Sequence, residues 1–167
     1  GVFIQAPAGG EYSGVWCYGG TDSTEGLTIG DMVALKGTVI EYNDLTEIDF
    51  SVDGGWLLNF GAGTPIEAAT VTTAALTDPT TAEPWEGVLI KLEDVSVLDE
   101  EIGFGEWMLN DEVRIDDMLY HINDDIPDLA VGDSFESITG PLTYAYDNYK
   151  LEPRSFDDFV GYTAVAD

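Results

Sequence analysis

Two stretches, Leu27-Thr28-Ile29-Gly30-Asp31 and Leu129-Ala130-Val131-Gly132-Asp133, share a Leu-x-aliphatic-Gly-Asp pattern at a spacing of 102 residues. This pattern predicts a turn that starts a strand, because glycine reaches backbone angles closed to other residues and aspartate caps neighbouring amides. A long run rich in β-branched and aromatic residues follows each copy, Met32–Tyr42 in the first and Ser134–Tyr146 in the second. The two copies therefore predict the same turn and long strand in each half of the chain.

The similarity between the halves extends beyond these turns, and three further pairs keep the spacing to within one residue. They are Tyr18 with Tyr120, Gly1 with Gly103, and Gly37 with Gly140. The last pair needs one extra residue in the second copy, which a β-bulge would absorb. An internal duplication is favoured, and chance similarity between two β-rich halves is the alternative.

The rest of the chain is also typical of an all-β protein, since β-branched and aromatic runs alternate with Gly, Asp, Asn and Pro. Asp53-Gly54-Gly55 and Asp147-Asn148 predict hairpin turns. The predicted strands are Val2–Gln5, Gly14–Tyr18, Met32–Tyr42, Thr46–Val52, Gly87–Leu98, Glu106–Leu109, Met118–Ile122, Ser134–Tyr146 and Tyr149–Pro153.

These elements predict two related units, at residues 1–60 and 85–160, followed by a tail at 161–167. Residues 61–84, rich in Thr, Ala, Pro and Gly, form the predicted crossover, with room for a helical turn within Ile66–Leu76. The second unit opens with Gly87–Leu98, and the first lacks a matching strand. We therefore expect either a fragment of a longer protein or two units that share strands.

The order strand, turn, long coiled strand and hairpin describes the OB-fold, in which a mid-strand glycine lets one strand bend between two sheets. Several motifs resemble the OB-like accessory domains of secreted bacterial nucleases of the endonuclease/exonuclease/phosphatase type and of related cell-surface proteins. These motifs are Gly1-Val2-Phe3-Ile4-Gln5, Tyr12-Ser13-Gly14-Val15-Trp16, Ile29-Gly30-Asp31, Gly37-Thr38-Val39-Ile40-Glu41-Tyr42, Leu45-Thr46-Glu47-Ile48, Gly132-Asp133 and Asn148-Tyr149-Lys150-Leu151-Glu152-Pro153-Arg154.

The resemblance implies a non-catalytic accessory or binding module of an exported bacterial protein. Its implied place is extracellular, at the cell surface or in the periplasm, and a neighbouring catalytic domain would belong to the full-length protein. Carboxylate- and metal-dependent hydrolysis is the alternative for an enzyme fragment.

The chain is strongly acidic, with 33 Asp and Glu against five Lys and Arg and a formal net charge of −28. Such a surface repels the phosphate backbone, so nucleic acid is a poor partner for this domain. Adaptation to a marine or otherwise saline habitat explains the charge best. Divalent-cation binding and docking to a basic partner are the alternatives. No stretch approaches the roughly 20 apolar residues of a membrane helix.

A Ser-His-Asp triad would have to use the single histidine, His121, whose strand-like context favours a structural role, and residue counts exclude a zinc site. The chain has one histidine, His121, and one cysteine, Cys17, too few for a zinc site of three or four His and Cys ligands. Cys17 lies in the apolar run Val15-Trp16-Cys17-Tyr18, which indicates a buried structural thiol. No phosphate-binding loop of the Gly-x-x-x-x-Gly-Lys type occurs, and no cofactor is required.

Two surface sites remain as candidates. Asn123-Asp124-Asp125-Ile126-Pro127-Asp128 offers hard oxygens to calcium, with Asp124, Asp125 and Asp128 as ligands, although a solvated loop is the favoured explanation of this segment. Aromatic and basic side chains of the second unit could form a stacking platform for a sugar or base, the alternative being hairpin packing with Arg154 paired to Asp157 or Asp158. The platform residues are Trp107, Tyr120, Tyr146, Tyr149, Lys150 and Arg154.

Overall fold

The computed structural model describes residues 1–20, 23–126 and 128–166, and most of its regular structure is β-strand. The first six strands are β1 (Val2–Gln5), β2 (Gly14–Tyr18), β3 (Asp31–Lys36), β4 (Thr38–Tyr42), β5 (Leu45–Asp49) and β6 (Trp56–Ala62). The other seven are β7 (Ala69–Thr70), β8 (Leu89–Gly103), β9 (Glu106–Leu109), β10 (Arg114–Ile115), β11 (Ser134–Ala145), β12 (Asn148–Leu151) and β13 (Phe159–Val160). The all-β prediction is confirmed.

The helices of the described residues are all short. One α-helical turn, α1, covers Pro79–Ala82 and is capped by Asp78, whose side chain accepts a hydrogen bond from the Thr80 amide. The 3₁₀ turns are Thr73–Leu76, Glu83–Trp85, Asn110–Glu112, Ile122–Asp124 and Phe156–Asp158. Within residues 1–20, 23–126 and 128–166, no helix has the length and apolar character to span a membrane.

The N-terminal strands form one four-stranded and one two-stranded sheet. The four-stranded sheet has the order β1-β2-β5-β4, with β2 and β5 parallel and the other neighbours antiparallel. Strand β3 instead pairs with β6, so that Lys36 faces Trp56. The predicted strand Met32–Tyr42 is thus divided at Gly37, because its two parts pair with different partners.

The C-terminal strands pair in a closed cycle. Strand β8 pairs with β9, β9 with β10, β10 with β12, β12 with β11, and β11 again with β8. Only the β10–β12 pairing of this cycle is parallel. The short strands β7 and β13 extend the sheet beside β8 and β11.

The hydrophobic core lies inside this cycle. Its fully buried side chains include Ile90 and Leu92 of β8, Ile138 of β11 and Leu151 of β12. Each such side chain contributes about 1.5–3 kcal/mol through burial. The first half adds Cys17 and Phe50 as buried hydrophobic residues outside this core.

The two halves meet backbone to backbone at Gly14 and Gly87. A Cβ atom on Gly14 would overlap the Gly87 carbonyl, which explains the need for glycine there. Around this contact the Leu89 amide donates to Gln5 Oε1 at 3.0 Å and the Thr46 amide donates to Glu86 Oε1 at 2.9 Å. The halves therefore have an interface held by backbone contact and hydrogen bonds.

The Gly-Asp turns have the same local structure in both copies. The Thr28 amide donates to Asp31 Oδ2 at 2.9 Å, and the Ala130 amide donates to Asp133 Oδ2 at 3.0 Å. The intervening glycines, Gly30 and Gly132, have φ of 91° and 94°. Asp133 directly precedes β11, a strand of twelve residues as expected from the sequence, whereas Asp31 begins β3, which has only six residues because the predicted long strand divides at Gly37.

Other details of the sequence analysis need correction. Met118–Ile122 was predicted as a strand, but Ile122 starts a 3₁₀ turn and no strand covers the preceding residues. Tyr18 and Tyr120 are consequently not equivalent, since Tyr18 ends β2 and Tyr120 lies in a loop. The Asp53-Gly54-Gly55 turn joins β5 to β6 without making a hairpin, because β6 pairs with β3.

Candidate functional site

Strands β9, β10 and β12 lie side by side and carry charged residues on the face turned away from the core. Trp107, Ile115 and Leu151 belong to the core, so their neighbours along each strand point to the opposite face. We call the charged residues next to these three the Lys150 cluster, of which Asp116 and Glu152 lie one residue beyond β10 and β12. Its members are Glu106, Arg114, Asp116, Lys150 and Glu152.

Lys150 is at the centre of this cluster and is almost wholly buried. Its Nζ donates to Glu106 Oε1 at 2.6 Å and to Asp116 Oδ2 at 3.0 Å, while Arg114 donates to Glu106 Oε2 at 2.9 Å. Burial alone would raise the pKa of Glu106, but the hydrogen bonds from Lys150 and Arg114 outweigh it and lower that pKa. Burial would likewise lower the pKa of Lys150, yet its two carboxylate partners raise it. The ammonium is therefore charged and donates to two carboxylates.

Glu152 differs from the other acids of the cluster. It is 1% exposed, and neither carboxyl oxygen has a hydrogen-bond partner among the described residues. Burial, followed by the negative charge of Asp116, raises the pKa of Glu152 to about 9. At pH 7 this side chain is a neutral acid beside the charged Lys150.

A pocket of about 200 Å³ adjoins the cluster. Its wall includes Glu100, Glu101, Glu106, Asp117 and His121. The His121 Nδ1 atom lies 2.8 Å from Asp117 Oδ2, and the imidazole is largely exposed. A pocket with four carboxylates repels anions, so its chemistry suits a cationic or a neutral hydroxyl-bearing ligand.

The structure does not assemble the six predicted ligand-binding residues into one platform. Trp107 was predicted to face a ligand, but it is buried in the core with its ring near those of Phe135 and Phe159. Its position on β9 alternates with that of Glu106, which explains why it faces inward. Tyr120 contacts the Phe159 ring and donates its hydroxyl to Asp125.

The two basic candidates, Lys150 and Arg154, form ion pairs with carboxylates. Arg154 donates through Nε and a terminal nitrogen to Asp158 at 2.9 and 2.6 Å, which is the ion pair weighed as the alternative to a ligand site. The Tyr149 ring packs against that of Tyr144 with 4.8 Å between centroids and a tilt of 58°, and the Tyr149 hydroxyl donates to Glu83 at 2.6 Å.

Only Tyr146 of the six is widely accessible, with 88% of its surface exposed. It belongs to the tight turn between β11 and β12, and the Lys150 Nζ lies 5.5 Å from its ring centroid. The rest of the predicted platform is engaged in packing and ion pairs.

The calcium hypothesis concerned Asp124, Asp125 and Asp128. Asp124 ends a 3₁₀ turn and Asp125 accepts the Tyr120 hydroxyl, while Pro127 falls outside the described residues. In the described part of the chain, no three His, Cys, Asp or Glu side chains are grouped to hold a metal ion.

Sequence reasoning identified Lys150 but missed its partners. The partners Glu106 and Asp116, and also the unpartnered Glu152, each stand next to a core residue, and this alternation was the available signal. The signal was hidden by the abundance of acids, of which the chain has 33. Which acid meets Lys150 depends on strand pairing between distant segments.

Comparison of the chain with protein-family models, with curated proteins and with solved structures finds no significant match.

Proposed function

We propose that this protein is a non-catalytic binding module of an exported, extracellular or cell-surface bacterial protein, built from two OB-like units. The observation that carries the proposal is that carboxylates pair with the basic groups of the Lys150 cluster and with Arg154. Every basic group on this face is paired with carboxylates, so the face has no free positive charge for a phosphate or an anionic substrate.

Strand order supports the OB-like architecture. The cycle β8-β9-β10-β12-β11, with one parallel pairing, is the arrangement expected of a five-stranded OB-fold. The sheet β1-β2-β5-β4 repeats the corresponding part, again with one parallel pairing, and β6 lies against β3 as β8 lies against β11.

Glycine packing supports the relation between the two units. A Cβ atom on Gly37 would lie 2.5 Å from the Asp49 carbonyl oxygen, and one on Gly140 would lie 2.6 Å from the Glu152 carbonyl oxygen. Both glycines therefore allow a long strand to bend closely over the last strand of its own unit.

The reactive side chains support a non-catalytic role. Cys17 is buried, and burial together with the charge of Glu47 raises the pKa of its thiol to about 12, which removes the thiolate that a nucleophile needs. His121 is paired with Asp117 in the acidic pocket. A hydrolase fragment is the second candidate, because this pocket could orient a water molecule.

Two assays test the proposal. We expect no turnover of nitrophenyl phosphates or nitrophenyl glycosides with calcium, magnesium or manganese. For single-stranded DNA we expect no binding tighter than about millimolar at physiological salt, since stacking of about 1–3 kcal/mol per base must overcome the acidic surface. Fluorescence anisotropy measures this binding.

Two results would contradict the proposal. One is metal-dependent turnover that Asp117→Asn removes. The other is micromolar DNA binding that is lost in Tyr146→Ala and kept in Tyr12→Ala, a matched exposed tyrosine of the first unit.

A further inference from the structure

Strand β6 carries an exposed apolar row. Its sequence, Trp56-Leu57-Leu58-Asn59-Phe60-Gly61-Ala62, has no charge in a chain with 33 acidic and five basic residues. The alternate side chains Trp56, Leu58 and Phe60 are 43%, 51% and 60% exposed. Single exposed apolar residues are ordinary, but a contiguous row on one face marks a contact site.

One edge of β6 has no strand beside it in the described part of the chain, and the Gly61 amide of β6 donates to the side chain of Asn59 in the same strand. Strand β6 pairs with β3, and no other strand of the described residues pairs with it. With seven residues, it is the longest described strand that has a single partner. An unpaired edge can take a strand from another chain, and proteins usually block it with lysine, proline or charge. Trp56–Ala62 contains none of these.

Acidic residues outnumber basic ones around this uncharged strand, and its one basic neighbour in β3 is Lys36, which pairs with Trp56. Asp53 precedes it, Asp31 faces Ala62 across the β3–β6 pair, and Glu67 follows it. A second copy of the chain would bring another −28 charges to the same edge and be repelled. A partner strand with an apolar centre and basic ends would bury its centre against the apolar row and attract the acidic residues nearby with its ends.

We infer that β6 is a docking edge for an extended segment of another protein, with alternating apolar residues in its centre and Lys or Arg on both sides. The segment adds a strand beside β6, its backbone pairing with the open edge and its apolar side chains covering Trp56, Leu58 and Phe60. This inference rests on the proposed role as a binding module, and it assigns the partner to the first unit.

Two synthetic peptides serve as probes. One alternates Val and Thr and carries Lys-Lys at both ends, and the other has the same centre with Glu-Glu ends. We expect the lysine-ended peptide to bind at least about tenfold more tightly at physiological salt, and the difference to shrink as salt screens the charges. Fluorescence anisotropy of labelled peptides measures both effects.

Substitutions locate the binding edge. Leu58→Lys and Phe60→Lys each place a charge on the open row and should weaken binding of the lysine-ended peptide by about tenfold or more. Val39→Lys makes the same kind of change on β4, where Val39 is also exposed, and should change binding by no more than about twofold. Since all three side chains are exposed, melting temperatures close to that of the unmodified chain verify folding.

Three results would overturn the inference: no binding of the lysine-ended peptide, equal binding of both peptides, or no loss in Leu58→Lys. Salt-induced dimers that Leu58→Lys abolishes, seen by analytical ultracentrifugation, would instead identify a second copy as the occupant. Failure of the proposed function looks different, because it consists of turnover or DNA binding in assays that contain no peptide.

Discussion

The carboxyl group of Glu152 is buried beside Lys150 without a hydrogen-bond partner among the described residues, and its raised pKa keeps it protonated at neutral pH. Because burial penalises the ionised form, the folded state keeps the proton well above the pH at which the unfolded chain releases it.

The pKa of Glu152 predicts how stability depends on pH. The folded-state pKa of about 9 lies above the ordinary value of 4.5, so this group costs no stability below pH 4.5. Its cost grows by about 1.4 kcal/mol per pH unit as pH rises from there towards 9. We expect Glu152→Gln to remove this slope, so that its stability relative to the unmodified chain increases with pH in urea unfolding. Glu112→Gln, an exposed control, should leave the slope unchanged, and an equal slope in Glu152→Gln would contradict the assignment.

Among local elements, the two Gly-Asp turns offer a comparison within one molecule. Asp133 is buried and accepts hydrogen bonds from the amides of Ala130 and Val165 and from the Tyr162 hydroxyl. Burial would raise the pKa of Asp133, but these donors lower it overall. Asp31 is more exposed and accepts from the Thr28 amide and the Asn59 side chain.

Equal substitutions in the two turns should therefore have unequal costs. Asp133→Ala leaves buried donors without an acceptor and should lower the free energy of unfolding by about 3 kcal/mol or more, whereas Asp31→Ala should cost about 1 kcal/mol. The stabilisation from Asp133 should also fade as pH falls through its lowered pKa, because the protonated acid accepts more weakly. The free energies of unfolding are measured by chemical denaturation. If both variants lose the same free energy of unfolding, burial does not distinguish the turns.

For the molecule as a whole, net charge sets the response to salt. With −28 charges, the folded chain repels itself, and ions screen this repulsion over a Debye length of about 8–10 Å. The internal ion pairs of Lys150 and Arg154 are less accessible to screening ions. Repulsion between surface carboxylates therefore dominates the effect of salt on stability.

Melting temperature should accordingly rise with sodium chloride in a thermal scan followed by circular dichroism. Calcium chloride added at fixed ionic strength tests the cation hypothesis separately, and a further rise lost in Asp124→Asn would locate the site. A melting temperature indifferent to salt would remove saline adaptation as the explanation of the charge.

The sequence by itself determined the features that depend on neighbouring residues. Val2–Gln5, Gly14–Tyr18 and Glu106–Leu109 are strands with the predicted bounds, because β-branched and aromatic side chains favour extended backbone locally. At Gly30-Asp31 the turn is formed by a hydrogen bond from the Thr28 amide to Asp31 and by the positive φ of Gly30. The Gly-Asp pattern predicts both features. Composition likewise indicated the excess of acidic groups.

Tertiary structure decided the features that depend on pairing between distant segments. Strand β6 exists as the partner of β3, whose paired residues lie 20 to 31 positions earlier in the chain, and Met118–Ile122 has strand-like residues but no strand to pair with. Trp107 faces the core and Glu106 faces Lys150 because of the register of β9; local alternation separates the two faces, but only strand pairing decides which face meets Lys150. A one-residue shift in that register would exchange the two faces, so the buried charge cluster and the core were settled together by strand pairing.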